Sequence, residues 1–222
     1  MKTKLHDSNI WAKELTNEIL CLISEILSKK KHCDVFLTGG RAAKELYLNW
    51  SLNPEFFKLK NVNFYFGDER CVNKKHPENN FNSVIKILFK NNNFIESNNT
   101  FFRMEGERHD IENSAREYAK IIPNEIDILL LGVGEDGHIA SLFPFSKALN
   151  ETSKKVVSVI GPKYPFKRLT ITPKVIETAK NIFILAPGEK KKKIYQKIQS
   201  GKFNHFNLPA SIVKNGKWIL TK

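Results

Sequence analysis

Apolar residues at Trp11, Leu15, Ile19, Leu22, Ile23, Ile26 and Leu27 recur at three- and four-residue steps, which predicts an amphipathic helix over Trp11–Leu27. Short continuous apolar runs follow, and these predict buried strands at 35–37, Val62–Phe66, 101–102, 126–131, Val156–Ile160, 169–171, 182–185 and 218–220. Helical spacing returns at about 41–50, 81–89 and Ile111–Ile121, and a lysine-rich helix is expected after Pro187-Gly188. The polar stretch 91–99 is expected to be a surface loop. Strands alternating with helices predict an α/β fold with a mainly parallel, Rossmann-like sheet and helices on both faces. With no internal repeat, low-complexity linker or domain boundary, residues 1–222 are expected to form a single domain.

In such a sheet the carboxyl ends of the strands share one edge, and ligands bind there. Four segments at that edge carry unusual chemistry. The first is Thr38-Gly39-Gly40-Arg41, between a strand and a helix. Its glycines serve either the turn alone or an anion held by backbone N–H groups at the helix start. Arg41 opposes the helix dipole at that position unless an anion lies beside it. The second is Gly67-Asp68-Glu69-Arg70, either a solvated charged turn or a segment turning Asp68 and Arg70 into the cleft.

The third segment, Gly132-Val133-Gly134-Glu135-Asp136-Gly137-His138, runs from the most apolar strand into a glycine-rich loop. The GxGxxG spacing invites a dinucleotide reading. Against it, no acidic residue sits at a strand end about 20 residues on, Glu151 falls in a polar loop, and Pro144 cuts short any helix begun at His138. A lone histidine is commonly structural, but imidazole is the side chain best suited to take a proton near neutral pH. Delivered by a flexible loop two residues from Asp136, His138 is expected to be catalytic. The fourth segment is a late basic pair: Arg168 before a strand, and Lys190 to Lys193 at a helix start, of which Lys191 is expected to reach an anion.

Composition narrows the class. A formal charge of +13 is spread along the chain rather than gathered with aromatics on one element. That distribution fits a solvated basic surface that attracts anionic substrates, and no nucleic-acid partner is expected. No apolar stretch approaches a membrane span, and residues 1–9 lack the apolar core of a signal peptide. Cys21, Cys33 and Cys71 are odd in number and lack CxxC spacing, so a reduced, cytoplasmic protein without disulfides or a cysteine-built zinc site is expected.

Taken together, Asp68-Glu69-Arg70, the 132–144 run ending Ala140-Ser141-Leu142-Phe143-Pro144, Lys163 to Thr170, Gly188 with Lys191, and Leu208-Pro209-Ala210-Ser211 resemble the glucosamine-6-phosphate isomerase/6-phosphogluconolactonase family. The resemblance runs from about Val35 to the C-terminus. Arg70, in place of the deaminase branch's tyrosine, and Ala140 to Pro144, in place of Ala-Phe-Asn-Glu-Pro, put it nearer the lactonase branch. Two departures concern substrate affinity. The family's Gly-Gly-Ser-Thr-Pro stands here as Gly39-Gly40-Arg41-Ala42-Ala43, and its Ser-Asn-Tyr as Asn79-Asn80-Phe81.

The resemblance implies hydrolysis of 6-phospho-D-glucono-1,5-lactone in the oxidative pentose phosphate pathway, with no cofactor and no metal. It implies His138 as general base, with Asp136 or Asp68 orienting the imidazole or binding sugar hydroxyls. Gly39, Gly40, Arg41, Arg70, Asn80, Arg168 and Lys191 would bind the substrate and its phosphate. The expected partner is a small phosphosugar lactone, and the expected state a monomer or weak homodimer. The alternatives are a deaminase or isomerase on the same fold, a non-catalytic sugar-phosphate-binding module, and a nucleotide-binding oxidoreductase.

Overall fold

The run Ile126–Gly132, apolar but for Asp127, is buried on both sides because it is the middle strand of a seven-stranded parallel sheet. A computed structural model describes residues 3–90 and 99–222 of the chain. The first half contains β1 (Lys4–His6), α1 (Trp11–Leu27), β2 (Cys33–Leu37), α2 (Arg41–Ser51), α3 (Pro54–Lys58), β3 (Val62–Phe66), β4 (Asp68–Arg70) and α4 (Asn80–Leu88). Then come β5 (Thr100–Phe101), α5 (Ile111–Ile121), β6 (Ile126–Gly132), β7 (Val156–Ile160), β8 (Lys167–Ile171), α6 (Pro173–Ile176), β9 (Ala179–Leu185), α7 (Glu189–Gln199) and β10 (Lys217–Thr221). Short 3-10 turns lie at Lys147–Asn150 and Pro209–Val213.

The main sheet has the order β1-β10-β9-β6-β2-β3-β5, and each neighbouring pair is parallel. From β2 the chain winds outward through β3 and β5, whereas from β6 it winds the other way through β9 and β10. The winding therefore reverses between β2 and β6, where loops leave in opposite directions and open a crevice. Alternate residues of each strand feed two cores. Val35, Leu37, Ile128 and Leu130 pack with Leu15, Ile19, Leu46 and Trp50 of α1 and α2 on one face. Phe36, Leu129 and Leu131 pack with Tyr118, Ile194 and Trp218 on the other. This two-faced burial supplies the rigid floor of the site.

Helices α1 and α5, and strands β3 and β7, have the bounds expected from periodicity. Three features differ. Asp68–Arg70 is a strand, not a turn, and it joins β8 and β7 in a separate antiparallel sheet of order β4-β8-β7. The polar N-terminus contributes the edge strand β1, in register with Ile219, Leu220 and Thr221 of β10. The short helices α3 and α6 each begin at a proline, Pro54 and Pro173, whose fixed φ suits a first helical turn. Most of the expected loop at 91–99 lies outside the described residues; at its end Asn99 accepts the Val62 N–H and donates to the Leu59 carbonyl.

Candidate active site

Beyond β6 the chain forms a tight turn rather than a helix. Val133 and Ile139 bridge across it, the Gly134 N–H donates to the His138 carbonyl at 2.8 Å, and the Gly137 N–H donates back to the Gly134 carbonyl. The turn brings His138 Nδ1 to 2.5 Å from Asp136 Oδ1, which also accepts the His138 backbone N–H at 3.2 Å. Burial pushes the Asp136 carboxyl up, but the His138 hydrogen bond and charge outweigh it and hold the group below the usual carboxylate range. An ionised carboxylate only accepts, so Nδ1 carries a proton, and in the neutral ring the lone pair is then on Nε2. The imidazole lies hard against Gly134: a Cβ there would stand 2.1 Å from Nδ1.

The facing wall comes from β2. Tyr47 clamps the strand end, its hydroxyl accepting the Thr38 N–H and donating to the Thr38 carbonyl. Gly40 then turns with φ 95°, a conformation glycine adopts without steric cost, and α2 begins at Arg41 without a side-chain cap. Its first-turn N–H groups and positive dipole end therefore suit an anion. Helix α7 repeats this arrangement, starting after Gly188 at φ 92° and also uncapped by a side chain.

Strand alternation explains the charges of β4. Asp68 is buried, its Oδ2 accepting from Ser141 Oγ at 2.7 Å and its Oδ1 from Asn80 Nδ2 at 3.1 Å. Glu69 points the other way and is fully buried, accepting the N–H groups of Arg70, Asn80 and Phe81. It thus fastens the start of α4 to β4. Arg70 lies opposite Arg168 in the antiparallel register and gives Nη1 to the carbonyl and carboxylate of Glu78. Arg168 is buried, donates to the carbonyls of Pro165 and Lys163, and lays its guanidinium over the Phe143 ring at 5.5 Å. Desolvation, then the nearby Arg70, destabilise its charged form, which an anion would relieve.

These elements enclose a cleft of about 190 Å³ lined by Gly39, Gly40, Arg41, Asp68, Arg70, His138, Arg168 and Lys191. Asn80 lines the adjoining cavity, and Asp136 reaches the cleft through His138. Every candidate residue named from the sequence is thereby brought to one edge of the fold. Within the lysine run Lys191 is half-buried and faces the cleft, with burial lowering its pKa, while the exposed Lys190 pairs with Glu135. A larger open depression of about 780 Å³ lies elsewhere, around Leu149, Phe203 and His205. Its lining shares no residue with the cleft, so its volume does not compete with the chemistry gathered at the strand ends.

Three contributors were not singled out from the sequence. Ser141 holds Asp68, and Glu69 holds α4. Phe143 is the third: the His138 ring lies 4.8 Å from it, so one aromatic ring contacts both the imidazole and Arg168. Ser141 and Phe143 belong to the 132–144 run, but Asp68 and Arg168, the groups they hold, are far from them in sequence, beyond any local pattern. Among the described residues, no group of three or more His, Cys, Asp or Glu side chains is placed to hold a metal ion. No described helix is long and apolar enough to cross a membrane.

A family model for glucosamine-6-phosphate isomerases/6-phosphogluconolactonase matches residues 6–220, and the chain belongs to that family. A 6-phosphogluconolactonase of Haemophilus influenzae is 34% identical over 196 residues, covering 85% of this chain and 84% of that protein. One from Aggregatibacter actinomycetemcomitans is 32% identical over 206 residues, covering 89% and 88%. Among solved structures, a 6-phosphogluconolactonase from Thermotoga maritima superposes with a TM-score of 0.85 over 99% of both chains at 22% identity, which shows a shared fold.

Proposed function

We propose that the chain is a hydrolase that opens 6-phospho-D-glucono-1,5-lactone to 6-phosphogluconate, with His138 as general base. The observation that carries this reading is the Asp136–His138 pair, with His138 lining a cleft that Arg41, Arg70, Arg168 and Lys191 also line. Relatives named 6-phosphogluconolactonase at above 30% identity support it.

A lactone is an activated ester, so a positioned water and base suffice. Nε2 of His138 takes a proton as the water oxygen bonds to C1, and the carbonyl electrons pass to the exocyclic oxygen. Arg70, on the cleft wall, stabilises that developing charge. Collapse of the intermediate breaks the bond from C1 to the ring oxygen, which receives the proton from His138. Asp136 holds the tautomer and offsets the imidazolium charge. Arg41, the Gly39-Gly40 loop, Arg168 and Lys191 grip the phosphate away from C1, which positions the ring for attack. Asp68, with both oxygens occupied by Ser141 and Asn80, shapes the wall and offers remaining lone pairs to sugar hydroxyls. On this reading the enzyme is cytoplasmic, acts without a cofactor, and works as a monomer or weak homodimer.

The test follows loss of freshly generated lactone against its spontaneous hydrolysis. The wild type accelerates it and a folded His138→Ala variant does not; near-full activity in that variant removes the base. Release of ammonia from glucosamine 6-phosphate would point instead to the deaminase branch.

A further inference from the structure

One aromatic side chain, Phe143, touches two working parts of the cleft. It is buried, with the Arg168 guanidinium over its ring at 5.5 Å from the centroid and the His138 imidazole 4.8 Å away, tilted by 49°. The hairpin between β7 and β8 closes on the same ring. A Cβ at Gly161 would stand 3.0 Å from Cε2 and Cζ of Phe143 and 3.2 Å from Arg168 Nε. Arg168 is tied to that hairpin through the carbonyls of Pro165 and Lys163. Phe143, Arg168 and the hairpin backbone therefore pack as one unit, with His138 against it.

The imidazole needs such a contact. Its bond to Asp136 and the close approach of Gly134 are both made at the Nδ1–Cε1 edge, and a ring held at one edge can rock about it. The two neighbours of Phe143 also differ in when they carry charge. The guanidinium is cationic throughout, whereas on the lactonase reading the imidazole becomes cationic only as it takes the proton from water. An aromatic ring attracts a cation at this range. A constant attraction fixes where Arg168 meets the phosphate and is read in KM; one that grows as the proton arrives is read in kcat.

We propose that Phe143 is a positioning residue shared by both ends of the substrate. Through Arg168 it sets the hold on the phosphate, and through His138 it steadies the base as that gains its proton. The proposal rests on the lactonase reading above and adds to it a residue that meets neither the phosphate nor the reacting carbon.

The test measures kcat and KM on freshly generated 6-phosphogluconolactone for three proteins: the wild type, Phe143→Leu, and a chain with trifluorophenylalanine placed at that position alone. Fluorination keeps the shape of the ring and drains its π density, so packing is nearly unchanged while the attraction for cations is lost. Each protein is made again with Arg168→Met. With Arg168 present, both exchanges should lower kcat and raise KM, each by roughly threefold to tenfold. With Arg168→Met, the KM effect should vanish and the kcat effect persist, because only His138 is then left for the ring to act on. Wild-type constants in the fluorinated protein would reduce Phe143 to filler and overturn the proposal. So would an unchanged kcat, or a KM effect of full size without Arg168. Should Phe143→Leu fail to fold, the fluorinated protein decides alone. A wild type that does not accelerate lactone hydrolysis sinks the lactonase reading and this proposal with it; an active wild type matched by its variants sinks only the role of Phe143.

Discussion

Asp136 uses a single oxygen, Oδ1, to hold both the imidazole and the backbone N–H of His138, at 2.5 and 3.2 Å. One carboxylate therefore fixes the ring's tautomer and the turn that presents it. Asp136→Asn either keeps its amide oxygen at both bonds, without the charge that offsets the imidazolium, or turns its NH2 toward Nδ1, which favours the wrong tautomer and breaks the backbone bond as well. We expect kcat to fall roughly 10- to 100-fold with KM nearly unchanged, read from initial rates of lactone loss. A variant of unchanged kcat would show that the pair is structural.

Gly134→Ala tests the same geometry from the other side. The added methyl would stand 2.1 Å from Nδ1, 2.3 Å from Cε1 of His138 and 2.4 Å from Asp136 Oδ1. All three are ends of partly exposed side chains, so the fold yields where the chemistry cannot. A misplacement of about 1 Å costs on the order of 100-fold in rate. The expected result is a large loss of kcat in a protein whose thermal midpoint stays close to wild type; a matching collapse in stability would assign the glycine to folding.

Arg168→Lys retains the charge but loses the planar guanidinium that lies over Phe143 and bonds to the Pro165 carbonyl. KM is expected to rise roughly tenfold, equivalent to about 1.4 kcal/mol, with a smaller change in kcat. If kcat falls and KM holds, Arg168 acts on the reacting centre and not on the phosphate.

How much of this was legible in the chain depends on where each residue's partners lie. β6 announces itself because a strand buried on both faces is apolar almost throughout, Asp127 excepted, and the glycine turn after it is local. α1 is readable from its repeating apolar face alone. β4 is not, because Asp68-Glu69-Arg70 has the local look of a solvated turn. Its burial is made possible by Asn80, Phe81 and Ser141, which are 11 to 73 residues distant. β7 and β8 read as strands, yet nothing in their own residues says that they pair with β4 instead of joining the parallel sheet. β1 has Leu5 as its only apolar residue and owes its place to β10 at the far end of the chain. The site residues were readable because they sit at strand ends, where topology, not sequence neighbours, brings them together.

Glu69 yields a prediction that separates burial from catalysis. Burial pushes its carboxyl up to about 7, from an ordinary 4.5, despite three backbone N–H groups that favour the ionised form; the nearby Asp68 pushes the same way. Between those two values the folded protein holds a proton that the unfolded chain has released. Stability must therefore fall as pH rises through that window, by at most about 3 kcal/mol if this group acts alone. In Glu69→Gln there is no proton to lose, so this contribution to the slope vanishes. Urea unfolding at pH 5 and pH 7.5 should show wild type losing more stability on going up in pH than the variant does, with the two most alike at pH 5, where Glu69 is largely protonated. Parallel pH slopes would mean that Glu69 stays ionised across the range, its charge held by the N–H groups of Arg70, Asn80 and Phe81 against the cost of burial.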